Sequence, residues 1–242
     1  MENYLYEDLY KLEDSHWWHI SKRRTVRTLI SIFNKKRELK ILDMGCGTGK
    51  NMEELGIFGP VFGIDTSGQA IAYCNARGLK NVKRGSTYKT DFGANTFDFI
   101  TLLDVLEHTD EHKTFTEINR ILIPEGEILI TVPAFTWLWS MWDEVLHHKR
   151  RYTKQSLEMV LEREGFEVVK ISYLYSFLIL PALIIRFIKT WSSRKSYSSD
   201  FELTLPIINK LMLLVCDLER ILMVRFSIPF GTSLVVLAKK IK

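Results

Sequence analysis

One stretch limits what this chain can become: Leu39 to Asn51, reading LKILDMGCGTGKN. After Lys40, Ile41 and Leu42 have the character of a short buried strand. Asp43 stands at its carboxyl end, and glycines then occupy alternate positions, Gly45, Gly47 and Gly49. Past Lys50 the pattern turns helical, with Met52 and Leu55 apolar among polar neighbours. A strand, a tight glycine turn and a helix start let a ligand lie against bare backbone. Glycine suits that turn because it adopts positive φ and has no Cβ to hold a ligand away.

The spacing separates this stretch from the common dinucleotide fingerprint. G-x-G-x-x-G would need a third glycine at position 50, where this chain has Lys50. The pattern present is D-x-G-x-G-x-G, and it resembles motif I of the class I S-adenosylmethionine (SAM) methyltransferases. Two further phrases carry the same resemblance, FDFITLLDVLEH at 97–108 and LIPEGEILITVP at 122–133. Together they cover roughly residues 15–175 and are specific to that superfamily, though not to any acceptor. The resemblance implies a methyl-transferring enzyme with SAM as its cofactor. A SAM-binding regulatory protein without turnover is the reading from another class, and a nucleotide-dependent oxidoreductase is opposed by the glycine spacing.

The order of elements agrees with an α/β, doubly wound sheet. A short helix is expected over 3–13 and a basic amphipathic one through about Phe33, forming an N-terminal cap over 1–38. Strands are expected at 60–65, near Val82, at 97–103 and 127–132, with helices at 69–77 and 111–122 between them. Each parallel connection needs a crossover, which these helices supply. Helix 154–164, strand 166–172 and a last, antiparallel strand from Thr232 to Lys239 complete seven mostly parallel strands in a single domain of residues 1–242. Two segments depart from that plan. Residues 135–153 form an aromatic and basic lid between strand five and the last regular helix. Residues 176–229 form an apolar helical insert before the last strand.

Composition narrows the partners. A net charge of +4 is too weak to imply nucleic acid, yet suits an anionic lipid or a phosphorylated acceptor. The three cysteines, Cys46, Cys74 and Cys216, form no C-x-x-C pair and read as reduced thiols. The acidic start MENYLYEDLYKLED has no apolar core, and no apolar run reaches about 20 residues. A cytoplasmic protein is expected, with 176–229 lying peripherally on the inner face of a membrane or forming a homodimer contact.

Asp65 lies 20 residues beyond Gly45, where a carboxylate can accept the ribose hydroxyls of a nucleoside. Its plainer role is to cap the segment starting at Thr66 or Ser67. The resemblance implies that Asp43, Gly45, Cys46, Gly47, Gly49, Asp65, Thr66, Ser86, Leu103 and Asp104 line the SAM site, with Arg23 on the donor's carboxylate. Ser86 stands where related enzymes often carry an acid for the adenine amino group. Trp17 and Trp18 read as core, and the cluster Lys22, Arg23, Arg24 as a solvated face. Transfer to a hydroxyl needs a base, and histidine is the natural one. His148 is the first candidate and His108 the second. The string His148-Lys149-Arg150-Arg151-Tyr152 resembles an H-x-R-R-Y element of methyltransferases encoded near glycan-assembly genes. Trp142, Arg150, Arg151 and Tyr152 are then expected to hold a small-molecule or lipid-linked acceptor, the arginines gripping an anionic group. The match of 108–112 to H-x-x-E-H is taken as accidental, and no metal is expected. The expected reaction is O-methylation of a sugar or lipid-linked glycan, with a prenylated quinone precursor as the alternative acceptor.

Overall fold

A computed structural model describes residues 3–36, 38–184 and 205–241. Seven strands form one sheet: β1 (Ile41–Met44), β2 (Val61–Asp65), β3 (Val82–Arg84), β4 (Phe97–Leu103), β5 (Leu122–Pro133), β6 (Phe166–Leu174) and β7 (Ser233–Lys240). Their order is β3-β2-β1-β4-β5-β7-β6. The first five run parallel, and β7 inserts antiparallel to both β5 and β6. The expected doubly wound sheet with its reversed last strand is therefore present. The strand order turns around at β1/β4, which places the crevice beyond the carboxyl ends of those strands.

Both faces of the sheet are buried, and the central strands are accordingly mostly apolar, ILDM in β1 and FDFITLL in β4. One face packs Leu42, Ile100, Leu102, Ile128 and Ile130 against α5 (Glu111–Ile121) and α7 (Lys154–Arg163). The other packs Ile41, Phe99, Leu129, Val235 and Leu237 under α2 (Trp17–Phe33). The remaining helices are α1 (Asn3–Leu12), α3 (Lys50–Leu55), α4 (Gly68–Ala76), α6 (Met141–Val145) and α8 (Pro206–Arg225). β5 begins earlier than expected. The Pro124–Gly126 turn survives inside it as an irregularity, with Glu125 at φ 64° and a break in the β4/β5 register between Phe97 and Phe99.

The described part of the insert is only partly a separate element. Tyr173 and Leu174 extend β6, and residues 179–184 are helical, while the polar stretch 192–200 lies outside the described residues. α8 docks along α2 through Cys216 and Met223 and through Arg24–Asp217 at 2.6 Å, while Glu219 accepts from the Tyr175 and Ser176 amides. Its opposite side exposes Ile207, Leu211, Leu214, Leu218 and Ile221, an i, i+4, i+7 series that forms one apolar stripe. Among the described residues no helix is long and apolar enough to cross a membrane.

Candidate functional site

The glycine turn is built as its sequence requires. Gly45, Gly47 and Gly49 all have positive φ, at 80°, 54° and 89°. A Cβ at Gly45 would meet Val105 Cγ2 at 2.5 Å, and one at Gly49 would meet Leu79 Cδ1 at 2.5 Å. Gly47 differs: only Leu9 Cδ2, at 3.6 Å, comes near its missing side chain. The middle glycine keeps a space clear, and the outer two permit close packing. α1 lies over this turn. Tyr6 rests against Asp65 and Ser67, and burial together with the Asp65 charge pushes its phenol up to about 12. Glu13, just beyond α1, accepts from Thr48 and Arg77, each at 2.5 Å.

Asp43 and Asp65 face this turn from β1 and β2. Asp65 accepts from the Gly47 amide at 3.0 Å and the Ser67 amide at 2.8 Å, so it caps the turn as the plainer reading holds. Asp43 is buried; one oxygen accepts from Thr101 at 2.6 Å and Oδ2 has no partner. Burial, added to by the nearby Asp65 charge, pushes its carboxyl up to about 7. Between about pH 4 and 7 the folded chain then binds more protons here than the unfolded chain, so stability falls as pH rises. Asp43→Asn is expected to reduce that slope by up to about 1.4 kcal/mol per pH unit, read from urea midpoints at pH 5 and 7. An identical slope in the variant would show that Asp43 ionises normally.

A second cluster stands at the tip of β4. Asp104 adopts φ 56°, an uncommon conformation for a non-glycine residue, and Thr131 donates to it at 2.8 Å. Burial alone would raise its carboxyl, but the paired Lys22 ammonium together with the Thr131 hydroxyl and the other polar neighbours lowers it overall. Glu107 is completely buried, and among the described residues neither carboxyl oxygen has a hydrogen-bond partner. Burial, then the Asp104 charge, raises its carboxyl well above the usual range. His108 follows, its Nδ1 3.3 Å from the His147 carbonyl. That oxygen can only accept, so Nδ1 carries the proton and Nε2 keeps the lone pair. Burial first, then His148, lowers this imidazole to about 4.

The lid delivers His148 to the same place. Tyr152 is stitched beside Ala134 at the end of β5, and the Lys149 amide bonds the Glu107 carbonyl at 3.0 Å. Inside that loop, Ser140 and Asp143 form the capping box of α6. Asp143 is buried and accepts from Ser140, from His148 Nδ1 at 2.9 Å, and from Arg151 through Nε at 2.7 Å and an Nη at 2.9 Å. Burial would raise its carboxyl, yet these donors lower it strongly, so it is an anion. His148 Nδ1 must therefore donate, and its Nε2 faces Glu107, 3.9 Å from Oε1. The His108 and His148 rings meet edge to face at 4.8 Å.

Several expected roles change in this arrangement. Arg151 commits its guanidinium to Asp143 and the Ala134 carbonyl, bonds within the chain that position the lid. Arg150 is paired with Glu111 at 2.8 Å. Tyr152 is core, its hydroxyl donating to Glu111 at 2.7 Å. Cys46 points into a small core with Met52 and Cys74, so only its backbone faces the turn. Arg23 is buried against Glu54 at 2.6 Å, and the basic cluster of α2 is no solvated face, since Lys22 is buried on Asp104. His112 does not join His108; it is exposed and faces Glu164. Leu103 and Asp104 are at the expected strand end, Ser86 follows β3, Thr66 is exposed after β2, and Trp142 is half-buried in α6. Trp17 and Trp18 pack as expected, Trp18 stacking on Tyr175 at 4.1 Å. Sequence reasoning missed Lys22, Glu107 and Asp143. Only the S-x-x-D box at 140–143 hinted at the last of these.

The residues around the glycine turn fit SAM. The turn keeps open the space that a Cβ at Gly47 would fill, and Asp43, near the end of β1 just before it, has one buried oxygen without a partner among the described residues, an acceptor suited to a ligand's donor group. Comparison with known proteins agrees. A methyltransferase-domain family matches residues 17–171. An uncharacterized protein of Methanocaldococcus jannaschii is 26% identical over 69% of this chain and 74% of its own length. Phosphoethanolamine N-methyltransferase 3 of Arabidopsis thaliana is 28% identical over 60% of this chain, which spans only 32% of that protein. Among solved structures, a SAM-dependent methyltransferase from Archaeoglobus fulgidus shares the fold, with a TM-score of 0.59 and 21% identity over 90% of this chain and 93% of that one. With the glycine cradle, the sheet order and the family match in agreement, the chain belongs to the methyltransferase-domain family and is a SAM-dependent methyltransferase.

Proposed function

We propose that the enzyme transfers the methyl group to a hydroxyl oxygen of a sugar or lipid-linked glycan at the cytosolic face of a membrane. The observation that carries this reading is the Asp143–His148 pair, which holds the imidazole by Nδ1 and turns Nε2 toward the tip of β4. SAM supplies a methyl on a sulfonium, so the protein's tasks are alignment, exclusion of water and removal of the acceptor proton. His148 Nε2 takes that proton, and Asp143 and Arg151 hold the ring while it becomes charged. The apolar stripe of α8, with Lys210 and Arg225 exposed along the same helix, suits an acceptor held in anionic lipid.

A prenylated quinone precursor is the second reading, and one observation favours it. Arg150 and Arg151 are both committed to internal carboxylates, which weakens the case for an anionic grip in the lid. Labelled-methyl transfer from SAM into fractionated lipids and glycans of the source cell separates the two. Label in the glycan or lipid-linked glycan fraction is expected. Label confined to quinones selects the second reading, and label in neither sinks both. Binding to anionic liposomes tests the stripe separately. The double variant Leu214→Glu, Leu218→Glu should stay in the supernatant where the native chain pellets, and pelleting of both would remove α8 from membrane contact.

A further inference from the structure

We propose that Glu107, His108 and His148 form a binding site for one divalent transition-metal ion. One ligand atom from each residue lies within 4.8 Å of the other two. Ligands about 2.1 Å from a tetrahedral ion stand about 3.4 Å apart, so rotations of a side chain or two close the set. The residues come from two places, the tip of β4 and the lid, and backbone bonds between 107 and 149 fix them together.

Three features distinguish this cluster from a chance gathering of polar groups. Glu107 is fully buried with both carboxyl oxygens unpartnered, an expensive arrangement without a cation to meet them. Both histidines have Nδ1 engaged as a donor, His108 to the His147 carbonyl and His148 to Asp143. Each is thereby left with its Nε2 lone pair for a ligand, as carboxylate-oriented and carbonyl-oriented metal histidines are. The partners of Asp143 are themselves complete, so the orientation of His148 is held from behind. Two imidazole nitrogens and one carboxylate suit zinc, cobalt or a similar ion and leave at least one position open. The set differs from the H-x-x-E-H match in the sequence, because His112 faces away toward Glu164.

The ion would take the lone pair assigned above to the base. This consequence rests on that reading; the binding does not. With the ion bound, the acceptor hydroxyl loses its proton to water as a metal ligand. Its oxygen then forms the new bond to the methyl carbon as the sulfur–carbon bond breaks and S-adenosylhomocysteine leaves neutral.

Chelator-treated full-length protein titrated calorimetrically with Zn²⁺, and followed spectroscopically with Co²⁺, tests the site. One ion per chain is expected. Glu107→Gln and His108→Ala should each weaken binding at least about tenfold while S-adenosylhomocysteine affinity stays native, which also reports that each variant is folded. His112→Ala should bind the ion like the native chain. Failure of the native chain to bind either ion, native binding in both cluster variants, or loss of binding in His112→Ala overturns the proposal. Because the readout is metal occupancy, none of these outcomes depends on the acceptor being a hydroxyl.

Discussion

Gly47→Leu is expected to lower the affinity for S-adenosylhomocysteine by roughly a hundredfold or more while the chain remains folded, a loss of about 2.8 kcal/mol in calorimetry. The three glycines of the turn differ in what surrounds them. At Gly47 an added Cβ meets no backbone within 4 Å and only the far end of Leu9, at 3.6 Å. The backbone conformation costs about 1–2 kcal/mol for any residue with a Cβ, since φ is positive there. In a chain of this size that lowers Tm by a few degrees and does not unfold it. What the leucine removes is the space that the missing side chain of Gly47 leaves open on the turn. Gly49→Leu is the contrasting variant. Its side chain would collide with Leu79 and Cys74, so it should damage the packing of α4 and reduce stability first. Native affinity in Gly47→Leu would mean that the cofactor does not rest on this turn.

The sheet and the cradle were legible because both are written locally. β4 and β1 are covered on both faces, so apolar residues dominate FDFITLL and ILDM on both sides of the pleat, and the glycine pattern is a backbone requirement with a spacing of its own. β5 was less legible at its start, where a turn was embedded in the strand as an irregularity. The chemistry beyond the cradle was written in contacts between distant segments. Lys22 and Asp104 are 82 positions apart, and nothing in the sequence around Lys22 separates it from a surface lysine. Arg150 and Arg151 look identical as letters, yet one reaches Glu111 of α5 and the other turns inward onto Asp143. Glu107 stood inside the phrase FDFITLLDVLEH that carried the resemblance, but its burial without a partner depends on the lid folding over it. A side chain's type was readable; its partner required the fold.

That dependence on partners makes the lid the place where single changes act twice. His148→Ala is expected to reduce turnover by about 10²–10⁴ and to leave S-adenosylhomocysteine affinity native, because the imidazole lies in the lid and not in the glycine cradle. The loss is expected whether Nε2 serves as base or as metal ligand, since alanine removes both. Asp143→Asn should lower turnover by a similar route, through the ring it holds, and should also destabilise the fold. Asp143 is fully buried and Arg151 nearly so, and breaking a buried pair by neutralising one partner costs about 3–5 kcal/mol. The sign of the pH effect follows from the depressed carboxyl. Its contribution is complete above the usual carboxylate range and fades as pH falls below about 4, so the native chain should lose more stability in acid than Asp143→Asn does. If Asp143 acts on turnover only through His148, the double variant should be no slower than His148→Ala alone. A double variant that is slower by the full product of the two effects would give Asp143 a separate part in the reaction. Undiminished turnover in His148→Ala would remove the lid histidine from the chemistry altogether.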